Sequence, residues 1–182
     1  MASPTASSTQ DLRYPVGKYK PPEQITAAER ADWLRELEEL PANLKRAVAG
    51  LDDPQLDTPY RPGGWTVRQV VHHLPDSHLN SYSRFRFALT EDAPAVKPYD
   101  EAAWAELADA KTAPIESSLA LLAALHARWI TLLRSLSEAD LKRTIRHPEW
   151  GEMNLEWMLG LYAWHSRHHV AHITSLRERE GW

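Results

Sequence analysis

Apolar side chains recur at helical spacing in four long segments of this 182-residue chain, and no series of alternating strands competes with them. The first segment opens at Thr26, where Thr26-Ala27-Ala28-Glu29 has the form of a capping box, and runs to Gly50 through Trp33, Leu34, Leu37, Leu40, Leu44 and Val48. Pro41 lies inside that stripe, where a missing N–H predicts a kink or interruption. The second opens at Thr66, with Gln69 three residues on, and reaches about Thr90 with Pro75 in its interior. The third spans about Pro114 to Leu136, and the fourth Asn154 to about Glu180. Short helices fit around Asp100–Ala110 and after Ser137, while Thr144–Met153 reads equally as an irregular loop or a small hairpin. The pattern predicts an all-α, antiparallel-type helix bundle over residues 23–182. Residues 1–22, rich in Ser, Thr and Pro, read as a flexible tip followed by an extended arm, Tyr14-Pro15-Val16-Gly17-Lys18-Tyr19.

Composition narrows the chemistry. With no cysteine there is no disulfide, thiolate zinc site, iron–sulfur cluster or cysteine nucleophile. Mixed charges with a net of −4 and no Lys/Arg stripe argue against a nucleic-acid partner. No apolar run is long enough to span a membrane, and the first residues lack the basic start and apolar stretch of a secretion signal, so a cytoplasmic protein is expected. Eight tryptophans supply many large rigid rings for a core or an interface. Nine histidines matter only where they share a face.

The fourth segment contains Trp164-His165-Ser166-Arg167-His168-His169-Val170-Ala171-His172. At about 100° per residue, with His165 at zero, the apolar stripe lies between about 20° and 80° and His169 falls near 40°. His172 is at the margin and His168 is further round. Two neutral imidazoles at i and i+4 can reach one cation, as in helical zinc proteases, although half-buried hydrogen-bonded histidines share this spacing. A third ligand has to come from elsewhere. On the second segment His72 faces away and reads as solvated, whereas His73 flanks the apolar stripe and His78 falls inside it, and Pro75 prevents a choice between them. His126 reads as a core or interface histidine, and His147, which precedes a proline, as a surface one.

Several of these stretches resemble a known family. His73-Leu74-x-Asp76 near the start of the second segment, with His-x-x-x-His late in the fourth, is similar to the DinB/YfiT-like superfamily. Tyr60-Arg61-x-Gly63-Gly64-Trp65-Thr66-Val67-Arg68-Gln69-Val70-Val71-His72-His73 and Pro98-Tyr99-Asp100-Glu101-x-x-Trp104 resemble its YfiT-type branch, named for metal-dependent hydrolysis. So do Leu12-x-Tyr14-Pro15-x-Gly17 and Leu161-Tyr162-x-Trp164-His165-Ser166-x-His168-His169. The resemblance spans nearly the whole chain. It implies an elongated four-helix bundle with an N-terminal arm and short extra helices in the loops, a homodimer, and one divalent metal held by His73, His165 and His169.

Three imidazole ligands leave a zinc ion an open position, as in catalytic sites, where a water or a substrate thiol loses its proton near neutral pH. Zinc is the first expectation; nickel also accepts imidazole. Two enzymatic readings follow: hydrolysis, and transfer of a low-molecular-weight thiol such as bacillithiol onto an electrophile. A third is a binding module in which the metal only staples the bundle. No Glu follows the ligand as in His-Glu-x-x-His, because Ser166 stands there. Asp76, one helical turn from His73, is the carboxylate expected to act as base or to orient a histidine. Ser77, Asn80 and Arg84 form a narrow polar stripe extending about 16 Å along the helix from His73. That stripe is expected to line a small-molecule pocket, with Arg84 pairing with a substrate carboxylate or phosphate.

Overall fold

The computed structural model describes residues 11–182. Four long helices form the bundle: α1 (Ala27–Ala47), α3 (Val67–Thr90), α6 (Ile115–Arg134) and α8 (Leu155–Glu180). Short helices occupy the connections: α2 (Asp53–Leu56), α4 (Glu101–Ala105), α5 (Ala108–Thr112) and α7 (Glu138–Leu141). Capping boxes start α1 at Thr26 with Glu29, α2 at Asp52 with Gln55, α3 at Thr66 with Gln69 and α7 at Ser137 with Asp140. In α2, Asp52 caps and Pro54 sits in the first turn, where its missing N–H costs nothing. α1 packs on α8 and α6, and α3 on α6 and α8, so the consecutive helices α1 and α3 lie across the bundle diagonal.

Neither internal proline interrupts its helix: α1 runs through Pro41 and α3 through Pro75. Each instead deprives the carbonyl four residues earlier of its helical donor. For Pro41 that carbonyl belongs to Leu37.

Residues 144–154 form a hairpin, β1 (Thr144–His147) against β2 (Gly151–Asn154), with Ile145 opposite Met153 and His147 opposite Gly151. Gly151 takes φ +74°, a left-handed conformation that glycine adopts without strain. The loop before α4 joins β1 through Val96 N–H to Arg146 O at 3.0 Å and Arg146 N–H to Pro94 O at 2.9 Å.

The interior consists of two apolar clusters with a polar layer between them. One is built around Leu37, Phe85, Trp129, Leu155 and Met158, the other around Leu40, Leu44, Val70, Leu74, Ile173 and Leu176. Between these levels the helices bury His73 and His78 from α3, His126 from α6, and His169 and His172 from α8. The tryptophans serve mostly this one chain. Trp33 and Trp129 are buried and four more are half-buried, leaving only Trp104 and Trp150 exposed.

The described part of the arm, residues 11–22, runs along α8; the tip lies outside the described residues. Trp164 Nε1–H donates to Gly17 O at 3.0 Å, and the Tyr19 hydroxyl donates to Trp157 O at 3.2 Å. Tyr19 can come this close because position 160 is a glycine, whose absent Cβ would lie 2.6 Å from the Tyr19 oxygen. No helix among the described residues is long and apolar enough to cross a membrane.

Candidate metal centre

α3 and α8 cross so that His73, His165 and His169 each bring one ring nitrogen within 4.8 Å of the others. The Nε2 atoms of His73 and His165 are 3.2 Å apart. Two nitrogens each ~2.0–2.1 Å from a tetrahedral zinc ion would be separated by about 3.3 Å, so this spacing suits a shared cation. Trp65 packs at 4.7 Å from the His73 ring and stacks at 6.3 Å on His169, walling the cluster from the α3 side. Burial drives the pKa of all three histidines down, His73 to about 4 and the other two well below the usual imidazole value. Neutral imidazole is the form that ligates, so the donor set fits a divalent cation.

His78 makes the other approach to His165. Its Nε2 lies 3.2 Å from His165 Nδ1, while its Nδ1 lies 3.0 Å from His126 Nε2. Both His73 and His78 therefore meet His165, on opposite nitrogens of one ring. Periodicity could not separate them for that reason as well as for Pro75.

A second group, His168, His169 and His172, also has ring nitrogens within 4.8 Å of one another. His168, expected further round the helix, is buried because Trp164 stacks on it at 4.5 Å and Tyr14 of the arm packs at 5.9 Å. His172 is stacked by Tyr60 at 3.9 Å, and its Nε2–H donates to Arg13 O at 3.2 Å. The Nδ1 atoms of all three have no hydrogen-bond partner among the described residues.

The three converging histidines line a cavity of about 1020 Å³. Ser77 and Arg84 line it too, but Asn80 does not; its amide donates to the Asp76 main-chain oxygen at 2.9 Å. Asp76 also departs from expectation. It does not line the cavity, and among the described residues its carboxylate makes no hydrogen bond to a histidine. Burial, aided by the like charge of Asp109 on α5, raises its pKa to about 6. The carboxylates that do line the cavity are Asp100, Glu101 and Glu149, brought there by the start of α4 and by the hairpin turn.

Two other histidines correct the sequence reading. His72 is buried, not solvated, because the α5–α6 connection covers it: Nε2–H donates to Ala113 O at 3.1 Å and Nδ1 accepts from the Ser118 hydroxyl at 2.7 Å. His147 is buried at the cavity wall, not on the surface, since the hairpin turns it inward and Nδ1 accepts from Glu149 N–H at 3.3 Å. Two donors at the cavity escaped the sequence reading altogether. The Tyr99 hydroxyl and Arg61 Nε–H are buried with no hydrogen-bond partner among the described residues. Burial raises the Tyr99 pKa, so the hydroxyl keeps its proton. Their contribution depends on loops whose positions periodicity does not give.

Comparison with known proteins accords with this architecture. The chain is 58% identical over 173 residues to a protein of Bacillus subtilis (strain 168) named "Putative metal-dependent hydrolase YfiT", covering 94% of this chain and 97% of that one. A similarly named protein of Bacillus mycoides is 57% identical, covering 95% of this chain and 99% of the other. The solved structure of YfiT from Bacillus subtilis, described as a probable metal-dependent hydrolase with an unusual four-helix bundle topology, superposes with a TM-score of 0.91, covering 94% of this chain and 98% of that one. The four-helix bundle protein TT2238 shares the fold at 22% identity and a TM-score of 0.55, covering 84% of this chain and 99% of the other. The family model for the DinB superfamily matches residues 36–173, taking in the three converging histidines, and the chain belongs to that superfamily.

Proposed function

We propose that this protein is a metal-dependent hydrolase of a small molecule, with one divalent cation held by His73, His165 and His169. The observation that carries the reading is the convergence of three neutral imidazoles, two buried and one half-buried, on the wall of a large cavity. Zinc is the cation of first choice, and nickel suits the same ligands. A cation held there would supply Lewis acidity, making water a better nucleophile near neutral pH and polarising a substrate carbonyl.

The chain's own residues supply the rest. Tyr99 O–H and Arg61 Nε–H are unpaired donors at the cavity, suited to an oxygen that gains negative charge during the reaction. Among the described residues Arg84 and Arg61 have no carboxylate partner, so a carboxylate or phosphate on the substrate would complete them. Burial and the like charges of Asp100 and Glu149 raise the pKa of Glu101. Because it lines the cavity and Asp76 does not, Glu101 is the better placed of the two to move a proton there.

One observation favours thiol transfer as a second reading. No carboxylate hydrogen-bonds to the three histidines among the described residues, and a thiol that loses its proton at the cation would need no protein base there. Assays of ester, amide and lactone substrates beside electrophile-plus-thiol pairs, with zinc and with nickel, separate the two. Chelator-sensitive hydrolysis without added thiol supports the hydrolase. Turnover that requires the thiol replaces it with a transferase, and inactivity throughout favours a metal-stapled binding module. A cytoplasmic homodimer completes the proposal.

A further inference from the structure

We propose that His78 and His126 are positioning residues for His165, forming a buried imidazole chain anchored on the Leu37 carbonyl that Pro41 leaves free. The inference rests on the reading of His165 as a metal ligand.

The direction of the chain is set at its far end. His126 Nδ1 lies 2.7 Å from Leu37 O, and a carbonyl can only accept, so His126 Nδ1 carries the proton. His126 is neutral, because burial holds its pKa at about 4, and its Nε2 is therefore a bare lone pair. That lone pair accepts from His78 Nδ1–H at 3.0 Å. With its Nδ1–H committed to His126, His78 turns Nε2 to His165 Nδ1 and accepts from that N–H at 3.2 Å. The proton of His165 is thereby fixed on Nδ1, and Nε2, the atom 3.2 Å from His73 Nε2, presents its lone pair. Each link allows one tautomer once the previous one is fixed.

Pro41 completes the arrangement. In an uninterrupted helix the N–H of residue 41 would occupy the Leu37 carbonyl; proline has none. All four bundle helices thus contribute: α1 the acceptor, α6 and α3 the intermediate rings, α8 the ligand. Ligating histidines usually give their second N–H to a carboxylate, a carbonyl or water, and losing such a partner weakens metal binding by about 10–100-fold. Here the partner is neutral. It would fix the ring without placing a negative charge beside a cation held there.

Zinc affinity, read by competition with a chromogenic chelator, tests the chain in the wild-type protein, His78→Leu, His126→Leu and His78→Gln. The leucine variants should bind zinc about 10–100-fold more weakly with saturated stoichiometry unchanged, and His78→Gln, which keeps a donor and an acceptor, should recover most of the loss. Two-bond ¹H–¹⁵N NMR spectra of the metal-free wild type should show His165, His78 and His126 as Nδ1–H tautomers, a readout that needs neither zinc nor a variant. Wild-type zinc affinity in both leucine variants, or an Nε2–H tautomer at His165 or His78, overturns the proposal. Zinc binding that survives replacement of His165 itself overturns the metal assignment instead, leaving the tautomers to judge the chain.

Discussion

Pro41 and His126 meet at a single carbonyl: the proline withholds an N–H from Leu37 O, and the imidazole supplies one at 2.7 Å. A residue that looks like a helix fault in the sequence is thereby tied to the buried polar layer. His126→Leu would leave Leu37 O and His78 Nδ1–H unpaired in the interior, costing about 1–3 kcal/mol for each orphaned group. Urea unfolding of the metal-free variant measures it.

Acid should unfold the metal-free protein. His126 has a folded pKa of about 4 against an ordinary value of 6.5, so below pH 6.5 the unfolded chain takes up protons that the folded one refuses. Its contribution is complete above pH 6.5 and is lost as pH falls toward about 4. The depressed pKa values of His72 and His172 act in the same direction, whereas Asp76, raised to about 6, and Glu101, also raised, oppose them. The histidines outnumber these carboxylates, so unfolding free energy should rise with pH between 5 and 6.5, and His126→Leu should reduce the slope by up to about 1.4 kcal/mol per pH unit. Urea titrations at several pH values provide the curve.

Gly160→Ala should loosen the arm. A Cβ there would stand 2.6 Å from the Tyr19 oxygen and 2.9 Å from two Trp33 ring carbons. The expected cost is about 1–3 kcal/mol, visible as a lower Tm and faster proteolysis within residues 11–22.

Arg61→Ala and Arg84→Ala test the cavity donors. With an active anionic substrate, each should raise KM about tenfold or more while metal content stays constant, tenfold being about 1.4 kcal/mol of lost binding. An uncharged analogue of that substrate should be almost insensitive to both changes.

The proposed homodimer should appear in light scattering as a mass twice 20.7 kDa. Surface for it exists in the exposed side chains of Leu79, Phe87 and Leu121. The tryptophans are a weaker argument than their number suggests, since six of the eight are at least half covered within the chain. A mass of one chain across micromolar concentrations would remove the dimer.

Much of this organisation is legible in the sequence, and the gaps have a common cause. Apolar spacing locates all four long helices and capping boxes mark the starts of α1 and α3, because those signals are local. The shared face of His165 and His169 follows from the same periodicity. His72 and His168 are harder to read because their covers come from distant segments: Ala113 and Ser118 for one, Tyr14 for the other. His147 and the cavity carboxylates depend on the hairpin and the α4 loop, whose positions are set by tertiary pairing at Val96 and Arg146. The role of Pro41 is invisible in one dimension. It appears only when His126, 85 residues further along, is brought to the opened carbonyl.

Metal stoichiometry tests the central claim most directly. Protein loaded with zinc and dialysed should carry one ion per chain by elemental analysis. His73→Ala, His165→Ala and His169→Ala should each lose it, while His168→Ala, whose ring lies outside the proposed trio, should retain it. Full zinc occupancy in the His165→Ala variant, or a wild-type protein that binds no divalent metal, would contradict the account.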